Sequence, residues 1–201
     1  MLGAGAGVGL LALGVGGGAW SIFQSSTPAT SQSLSSGTVV IALAGSGSSA
    51  ALSVGASKLV AGDTVAREAV LQNTGSSGIG TITLSMAGPA SPNALTTDTT
   101  NGLQAEAQSC SGGTWTSTSL SDGGYSYSCS GTVDTLLSSA PVSSFASGVA
   151  LPGSAGTLAP GASLPIVITL TLPTSAGNSL EGLSTSVTYN FVATQASAGP
   201  A

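Results

Sequence analysis

The side chains that could carry out acid–base or nucleophilic chemistry are few in this chain. Lys and Arg together number 2, Asp and Glu number 7, and His is absent. Without His, the Ser-His-Asp and Cys-His mechanisms and the His-dependent zinc sites are excluded. A pair of carboxylates or a Ser-Lys pair would remain as the catalytic machinery. Lys58 lies near several serines, but serine is abundant throughout this sequence, so that proximity indicates nothing specific.

The acidic residues show no repeated spacing that would indicate a catalytic pair or a metal site. They are Asp63, Glu68, Asp98, Glu106, Asp122, Asp134 and Glu181. Asp122 and Asp134 flank a glycine-rich region and could offer oxygen ligands to Ca²⁺, but no D-x-D-x-D-G array accompanies them. The sequence therefore predicts a protein that is not an enzyme, with no catalytic residue, no metal ligand and no cofactor.

Cys110 and Cys129 are the only cysteines. A metal pair or a redox couple would need C-x-x-C spacing or His partners, and the chain has neither. An even number of cysteines in an exported chain favours a disulfide, here one that closes a Gly- and Ser-rich excursion. On the chain-entropy model, a loop of that size contributes about 3 kcal/mol to stability.

The charge balance excludes one class of partner. Nucleic-acid affinity depends mainly on Lys and Arg that neutralise phosphates, and this chain has only Lys58 and Arg67. Its formal net charge of −5 is too small to prevent association between neutral faces of identical molecules. Nucleic acid is thus not an expected partner, whereas self-association is open.

The elements that must position these residues are predicted to be β-strands. In residues 164–172 and 187–193, apolar side chains alternate with polar or smaller ones, which is the period of a strand with one buried face. Other short segments bounded by Gly, Ser, Pro or Asn are read in the same way. The predicted strands are 38–44, 51–54, 64–73, 80–86, 102–108, 114–119, 124–129, 132–137, 164–172 and 185–193.

Short strands separated by turn signals, without a convincing long amphipathic helix, predict an all-β fold. With 201 residues and 41% hydrophobic content, the chain has enough material for one good core. We expect an antiparallel two-sheet sandwich of jelly-roll type over residues 38–195, followed by a tail at 196–201. The alternation assigns two apolar sets to the core: Ile82, Leu84 and Met86, and Tyr125, Tyr127 and Cys129.

The N-terminal segments have a different composition. Residues 1–21 combine an apolar stretch with a small-x-small pattern, which predicts a signal helix and cleavage between Ser21 and Ile22. No Lys or Arg precedes the apolar stretch, and a retained membrane anchor is the alternative. Residues 22–37 are rich in Ser and Thr, have no hydrophobic period, and are predicted to form an extended leader.

Several short motifs, taken in order, resemble the TasA/camelysin family over nearly the whole chain. They are residues 16–23 (GGGAWSIF), 60–64 (VAGDT), 72–75 (QNTG), 158–161 (LAPG), 178–182 (NSLEG) and 189–195 (YNFVATQ). The resemblance implies export through a dedicated signal peptidase, a jelly-roll fold, and a structural role in the fibres of bacterial biofilm matrix. The family also includes the surface metalloprotease camelysin. This chain has no His and no H-E-x-x-H motif, so none of its residues can be assigned to a zinc peptidase site.

The resemblance further implies donor-strand exchange, in which the mature N-terminal segment of one subunit completes a sheet of the next. Ile22, Phe23 and Leu34 are the apolar residues of the leader that would fill acceptor pockets. The expected partners are copies of the same chain in a head-to-tail polymer, with an accessory matrix or anchoring protein as a further candidate. The protein would be secreted to the extracellular space or cell surface, and would touch the membrane only through an uncleaved signal segment.

Two alternatives remain open at this stage. The leader can be a trimmed or disordered linker rather than a donor. The domain can be a monomeric surface adhesin or binding module, for which Trp115, Tyr125 and Tyr127 would supply an aromatic patch.

Overall fold

A computed structural model describes residues 38–43, 49–121 and 124–196. The predicted signal segment, its cleavage site at Ser21 and Ile22, and the leader with its donor candidates Ile22, Phe23 and Leu34 lie outside these ranges. Within them, no helix is long and apolar enough to cross a membrane. The predicted all-β class is confirmed: strands dominate the described chain and form a sandwich-like arrangement of mainly antiparallel sheets.

Two large sheets and one small hairpin account for the strands. A five-stranded sheet has the order β1-β3-β10-β5-β8, a four-stranded sheet has the order β2-β11-β4-β9, and β6 pairs with β7. The bounds are β1 Thr38–Leu43, β2 Ser49–Ser57, β3 Thr64–Asn73, β4 Ile79–Ala87, β5 Gln104–Ser111, β6 Trp115–Ser119, β7 Tyr125–Cys129, β8 Thr132–Pro141, β9 Val149–Ala150, β10 Ser163–Thr171 and β11 Ser184–Gln195.

One edge strand departs from the antiparallel expectation. β1 pairs with β3 in parallel, with Thr38 opposite Glu68 and Leu43 opposite Asn73. The reason lies in the path of the chain, because β2, which separates β1 from β3 in sequence, belongs to the other sheet. β1 and β3 are therefore joined by a crossover through the second sheet and not by a hairpin turn. A crossover connection of this kind is what a parallel pair of strands requires.

The core lies between the two large sheets and follows the predicted alternation. Ile82, Leu84 and Met86 of β4 are buried, as are Ile168 of β10 and Phe191 of β11. Successive side chains of a strand point to opposite faces, so these residues form one inner layer while their polar neighbours face outward. The main core prediction is therefore confirmed for these strands.

Short elements outside the predicted strands close the ends of the sandwich. A four-residue helix, α1 (Ala94–Thr97), begins at Asn93, whose side-chain oxygen accepts a hydrogen bond from the Leu95 N–H. Two 3-10 turns, Val142–Phe145 and Gly153–Gly156, bury Val142, Phe145 and Ala155. These pieces are too short to show a hydrophobic period, so the sequence did not reveal them.

Candidate functional site: the β3 edge and the tethered hairpin

The predicted disulfide joins Cys110 at the end of β5 to Cys129 at the end of β7, with their Cα atoms 5.6 Å apart. β5 and β8 pair up to the Ser111–Thr132 pair, and β6 and β7 continue as a second hairpin that starts at the Trp115–Cys129 pair. The disulfide thus links the root of this second hairpin, here called the β6–β7 hairpin, to the five-stranded sheet.

Two backbone segments approach each other closely where the β6–β7 hairpin leaves the sheet, and two glycines permit this approach. A Cβ atom on Gly131 would collide with the carbonyl oxygen of Ser111, and one on Gly113 would collide with the Gly131 backbone. Only glycine allows two backbones to approach this closely. The two positions therefore define a narrow waist between the five-stranded sheet and the hairpin.

The β6–β7 hairpin has one half-buried face and one exposed face. Trp115, Tyr125, Tyr127 and Cys129 are partly buried, whereas residues 116–119 of β6 and Ser126 and Ser128 of β7 are exposed. The Nε1 atom of Trp115 is buried and has no hydrogen-bond partner. Tyr125, Tyr127 and Cys129 were expected in the main core; they lie instead on a separate hairpin, outside the cluster between the sheets. The period of two was correct, but it could not tell which surface the apolar face would cover.

The covered surface is the outer face of the five-stranded sheet around β3. β7 contacts β3. On that face, Glu68 of β3 is 8% exposed and Val167, its register partner in β10, is 4% exposed, although neither belongs to the core cluster. Outward-facing residues of an uncovered sheet would be solvated, so we attribute their burial to the hairpin that lies over them.

The hairpin also reaches the edge of β3. Residues of a central antiparallel strand point their N–H and C=O groups alternately to the two neighbours. Asp63 and Asn73 exchange hydrogen bonds with the β10 side, so the even-numbered residues of β3 face the side where β1 lies. The described part of β1 begins opposite Glu68. The backbone N–H and C=O groups of residues 64–67 that face the β1 side therefore lie beyond the described part of β1.

Two side chains satisfy backbone groups at this end of β3. The Glu68 N–H donates a hydrogen bond of 3.1 Å to the Tyr127 hydroxyl. The Arg67 Nη1 donates a hydrogen bond of 2.7 Å to the Ala66 carbonyl oxygen. The Arg67 guanidinium lies 5.2 Å from the centre of the Tyr125 ring, which is within the range of a cation–π interaction. One charged residue and two tyrosines thus occupy the edge next to the start of β1.

The pKa values of two tyrosines reflect their burial and their distance from Arg67. Desolvation raises the pKa of Tyr127, while the hydrogen bond from the Glu68 N–H and the charge of Arg67 partly oppose that shift. Tyr189, at the centre of the core, has its pKa raised by burial, and its hydroxyl has no hydrogen-bond partner. The charge of Arg67 partly opposes the rise in the pKa of both tyrosines, so this charge acts at the edge of the sandwich and towards its interior.

Several of the acidic residues serve turns rather than a shared site. Asp63 accepts a hydrogen bond from the Val60 N–H, and Asp98 accepts two from the Thr100 and Asn101 N–H groups, which lower its pKa. Glu106 accepts a hydrogen bond from the Gln108 side chain. Among the described residues, no three His, Cys, Asp or Glu side chains lie close enough to hold a metal ion. Asp122, one of the two residues considered for Ca²⁺, lies outside the described ranges.

Sequence reasoning did not find the β3 edge. Tyr127 and Glu68 are 59 residues apart in the chain, and no motif links them. The signal that was present is the alternation of Tyr125, Tyr127 and Cys129, which showed that one face of β7 must be covered.

Comparison of the chain with protein-family models, with curated proteins and with solved structures finds no match.

Proposed function

We propose that this protein is a secreted structural subunit that assembles into extracellular fibres by donor-strand exchange of its mature N-terminal segment. The observation that carries the proposal is the position of β1. Among the described residues this strand pairs only with β3, at the edge of the five-stranded sheet, and it directly follows the leader in sequence. A strand held on one side only can be exchanged between molecules without dismantling either sheet.

In this proposal the sandwich is a jelly roll to which β1 is an addition. A jelly roll can be described as a long hairpin folded over on itself, in which the first strand pairs with the last and the second with the last but one. The observed pairs β2–β11, β3–β10, β4–β9 and β5–β8 follow this rule. The rule uses neither β1 nor the β6–β7 hairpin, which supports the view that β1 is not needed to complete the domain.

The chemistry of β1 suits strand exchange. Its sequence, TVVIAL, is mostly apolar and rich in β-branched residues, which favours extended backbone on a half-buried surface. Main-chain hydrogen bonds along an open sheet edge provide affinity, and alternate side chains provide specificity. Since every copy offers the same β3 edge, a donated segment can pair there in the register that β1 uses within one chain.

Such a contact is head-to-tail and does not close on itself, so it generates a filament. Ile22, Phe23 and Leu34 precede β1 and would be donated with it after cleavage at Ser21 and Ile22. The partners are other copies of this chain, with an accessory or anchoring protein as a further candidate. No catalytic step, cofactor or nucleic acid enters the proposal.

The alternative function is that of a monomeric surface adhesin or binding module. It would depend on Trp115, Tyr125 and Tyr127 as an exposed aromatic patch. All three are partly buried, on the face of the hairpin that carries the disulfide. That orientation leads us to favour the assembly function.

The test uses the mature chain, residues 22–201, and the same chain without residues 22–43, which removes both the leader and β1. Negative-stain electron microscopy is performed as concentration rises and pH falls, and circular dichroism checks the fold. We expect filaments of constant width from the mature chain and a folded monomer from the shortened one. A chain that lacks only residues 197–201 is the matched control and should still polymerise. Polymers that persist without residues 22–43 would refute the donor role, and a mature chain that remains monomeric would favour the adhesin.

A further inference from the structure

The two outer faces of the sandwich differ in what lies over them. Glu68 and Val167, on the outward side of the five-stranded sheet, are buried where the β6–β7 hairpin covers that sheet. The outward residues of β4 and β11 are half-buried or exposed, as expected for a sheet face that no other described element covers. This surface is called the neutral face, and its residues are Thr81, Thr83, Ser85, Asn190, Val192 and Thr194.

The neutral face is a regular grid of small side chains. In the register of β4 and β11, Asn190 lies opposite Ser85, and Val192 lies opposite Thr83. Hydroxyl and carboxamide groups both donate and accept hydrogen bonds. The same face of another molecule therefore offers matching donors and acceptors, which is what an isologous two-fold contact requires.

The four-stranded sheet that carries this face contains no charged residue. The charged residues of the described strands all belong to the five-stranded sheet, and they are Arg67, Glu68, Glu106 and Asp134. Stacked sheets lie about 10 Å apart, so two copies that meet through the neutral face keep their five-stranded sheets roughly 30 Å from each other. That separation is several times the Debye length of about 8 Å at physiological ionic strength. Repulsion between these charges therefore does not prevent the contact.

The size of the neutral face sets the strength of the contact. β4 has 9 residues, and three strands of that length at a spacing of about 4.8 Å cover roughly 400 Å². Two copies then bury about 800 Å² in total, which is less than the roughly 1,200–2,000 Å² of stable interfaces. A single pair of faces is thus weakly bound. In a filament the face repeats at every subunit, so many weak contacts act together.

We propose that the neutral face is a lateral contact through which two filaments of this protein associate side by side. The occupant of the face is the same face of a second copy, which belongs to the neighbouring filament. A charged partner would find no opposite charge on this face, which favours a neutral one. This inference rests on the proposed strand-exchange function: strand exchange joins subunits along a filament, and the neutral face joins filaments to one another.

The test compares the mature chain with two variants that carry the same chemical change. Asn190→Asp places a carboxylate on the neutral face, so that each contact would contain two uncompensated negative charges. Asn178→Asp is the matched control, because Asn178 is exposed in the loop between β10 and β11 and lies off the face. Circular dichroism and thermal unfolding check that the three chains fold alike.

Bundles are collected by low-speed sedimentation and single filaments by high-speed sedimentation, and negative-stain electron microscopy counts the filaments in each bundle. For the mature chain and for Asn178→Asp we expect bundles in the low-speed pellet. For Asn190→Asp at low salt we expect loss of the low-speed pellet and an unchanged total yield of filaments, because like charges in the contact repel. Added salt should restore the bundles of Asn190→Asp, since it screens that repulsion.

The lateral contact is refuted if Asn190→Asp forms bundles as the mature chain does, or if Asn178→Asp loses them equally. Should Asn190→Asp fail to fold, Ser85→Asp places the charge at the opposite position of β4 and decides the question. A mature chain that forms only single filaments refutes the lateral contact and leaves the proposed function intact. If no chain forms filaments, strand exchange is refuted and the lateral contact with it, because one face is too small to hold two monomers together.

Discussion

Removal of the disulfide provides a quantitative test of how the β6–β7 hairpin is held. Cys110 and Cys129 are separated by 19 positions, and the chain-entropy model gives about 3 kcal/mol for closing a loop of this size. For a domain of this length, that loss corresponds to a decrease in Tm of roughly 6–12 °C. The double variant Cys110→Ser/Cys129→Ser should show this loss, together with a larger urea m-value because its unfolded state is less compact.

The chain offers a convenient probe for this measurement. Its two tryptophans are Trp20, which lies in the predicted signal segment, and Trp115. In the mature chain, tryptophan fluorescence therefore reports only on β6, where Trp115 pairs with Cys129, while circular dichroism reports on the two large sheets. Urea unfolding is followed by both signals.

With the disulfide intact, the two unfolding curves should coincide, because the hairpin cannot leave the sheet without the rest. In the double Ser variant, the fluorescence change should occur at lower urea than the loss of circular dichroism, since the hairpin is then held by noncovalent contacts, among them those of β7 with β3. A loss of stability below about 1 kcal/mol, well under the entropic value, would refute the reasoning. Coincident curves in the variant would show that the hairpin is an integral part of the domain.

Three further substitutions test the core, the waist and a buried hydroxyl by urea unfolding. Phe191→Ala should cost about 3–5 kcal/mol because Phe191 is fully buried, whereas Val133→Ala, at a side chain that is 46% exposed, should change stability by less than about 0.5 kcal/mol. Gly131→Ala should destabilise the domain because its Cβ would collide with Ser111, and a neutral result would contradict the waist. Burial raises the pKa of Tyr189 above its ordinary value of 10.0, so the folded state keeps a proton that the unfolded chain releases, and stability should fall as pH rises above that value. Tyr189→Phe should reduce this slope without loss of stability at neutral pH, since the hydroxyl has no partner to lose; an unchanged alkaline slope would refute the assignment.

The strands were the part of the structure that the sequence predicted well, and their ends show why the rest was less accessible. The prediction for β3 matches the observed bounds, because its alternation and its turn signals coincide. β5 was expected to start at Gly102, but Gly102 and Leu103 donate their N–H groups to carbonyl oxygens of Asp98 and Leu95 around α1. Strand ends depend on the partners that the backbone finds, and a single sequence does not contain that information.

The candidate site was less predictable because it depends on contacts between distant parts of the chain. The disulfide followed from counting cysteines in a chain expected to be exported. By contrast, the parallel pairing of β1 and the covering of β3 by Tyr127 depend on how two sheets and a hairpin are arranged. Arg67 shows the difference clearly: its position in β3 was predicted, but its contact with Tyr125 was not.

The scarcity of charge bears on how the edge of β3 is covered, because Arg67 and two tyrosines of β7 lie there. Exposed sheet edges are commonly protected by Lys side chains, by Pro or by inward-pointing charges. This chain has one Lys and one Arg, and Lys58 lies outside every strand. The edge strand β8 carries Asp134 and ends at Pro141, both common means of edge protection. At β3, Arg67 is the only cation within any described strand, and it acts together with two tyrosines that the disulfide holds nearby. A protein with a more charged surface could cover this edge with exposed lysines alone; here a hairpin that a disulfide ties to β5 lies against it.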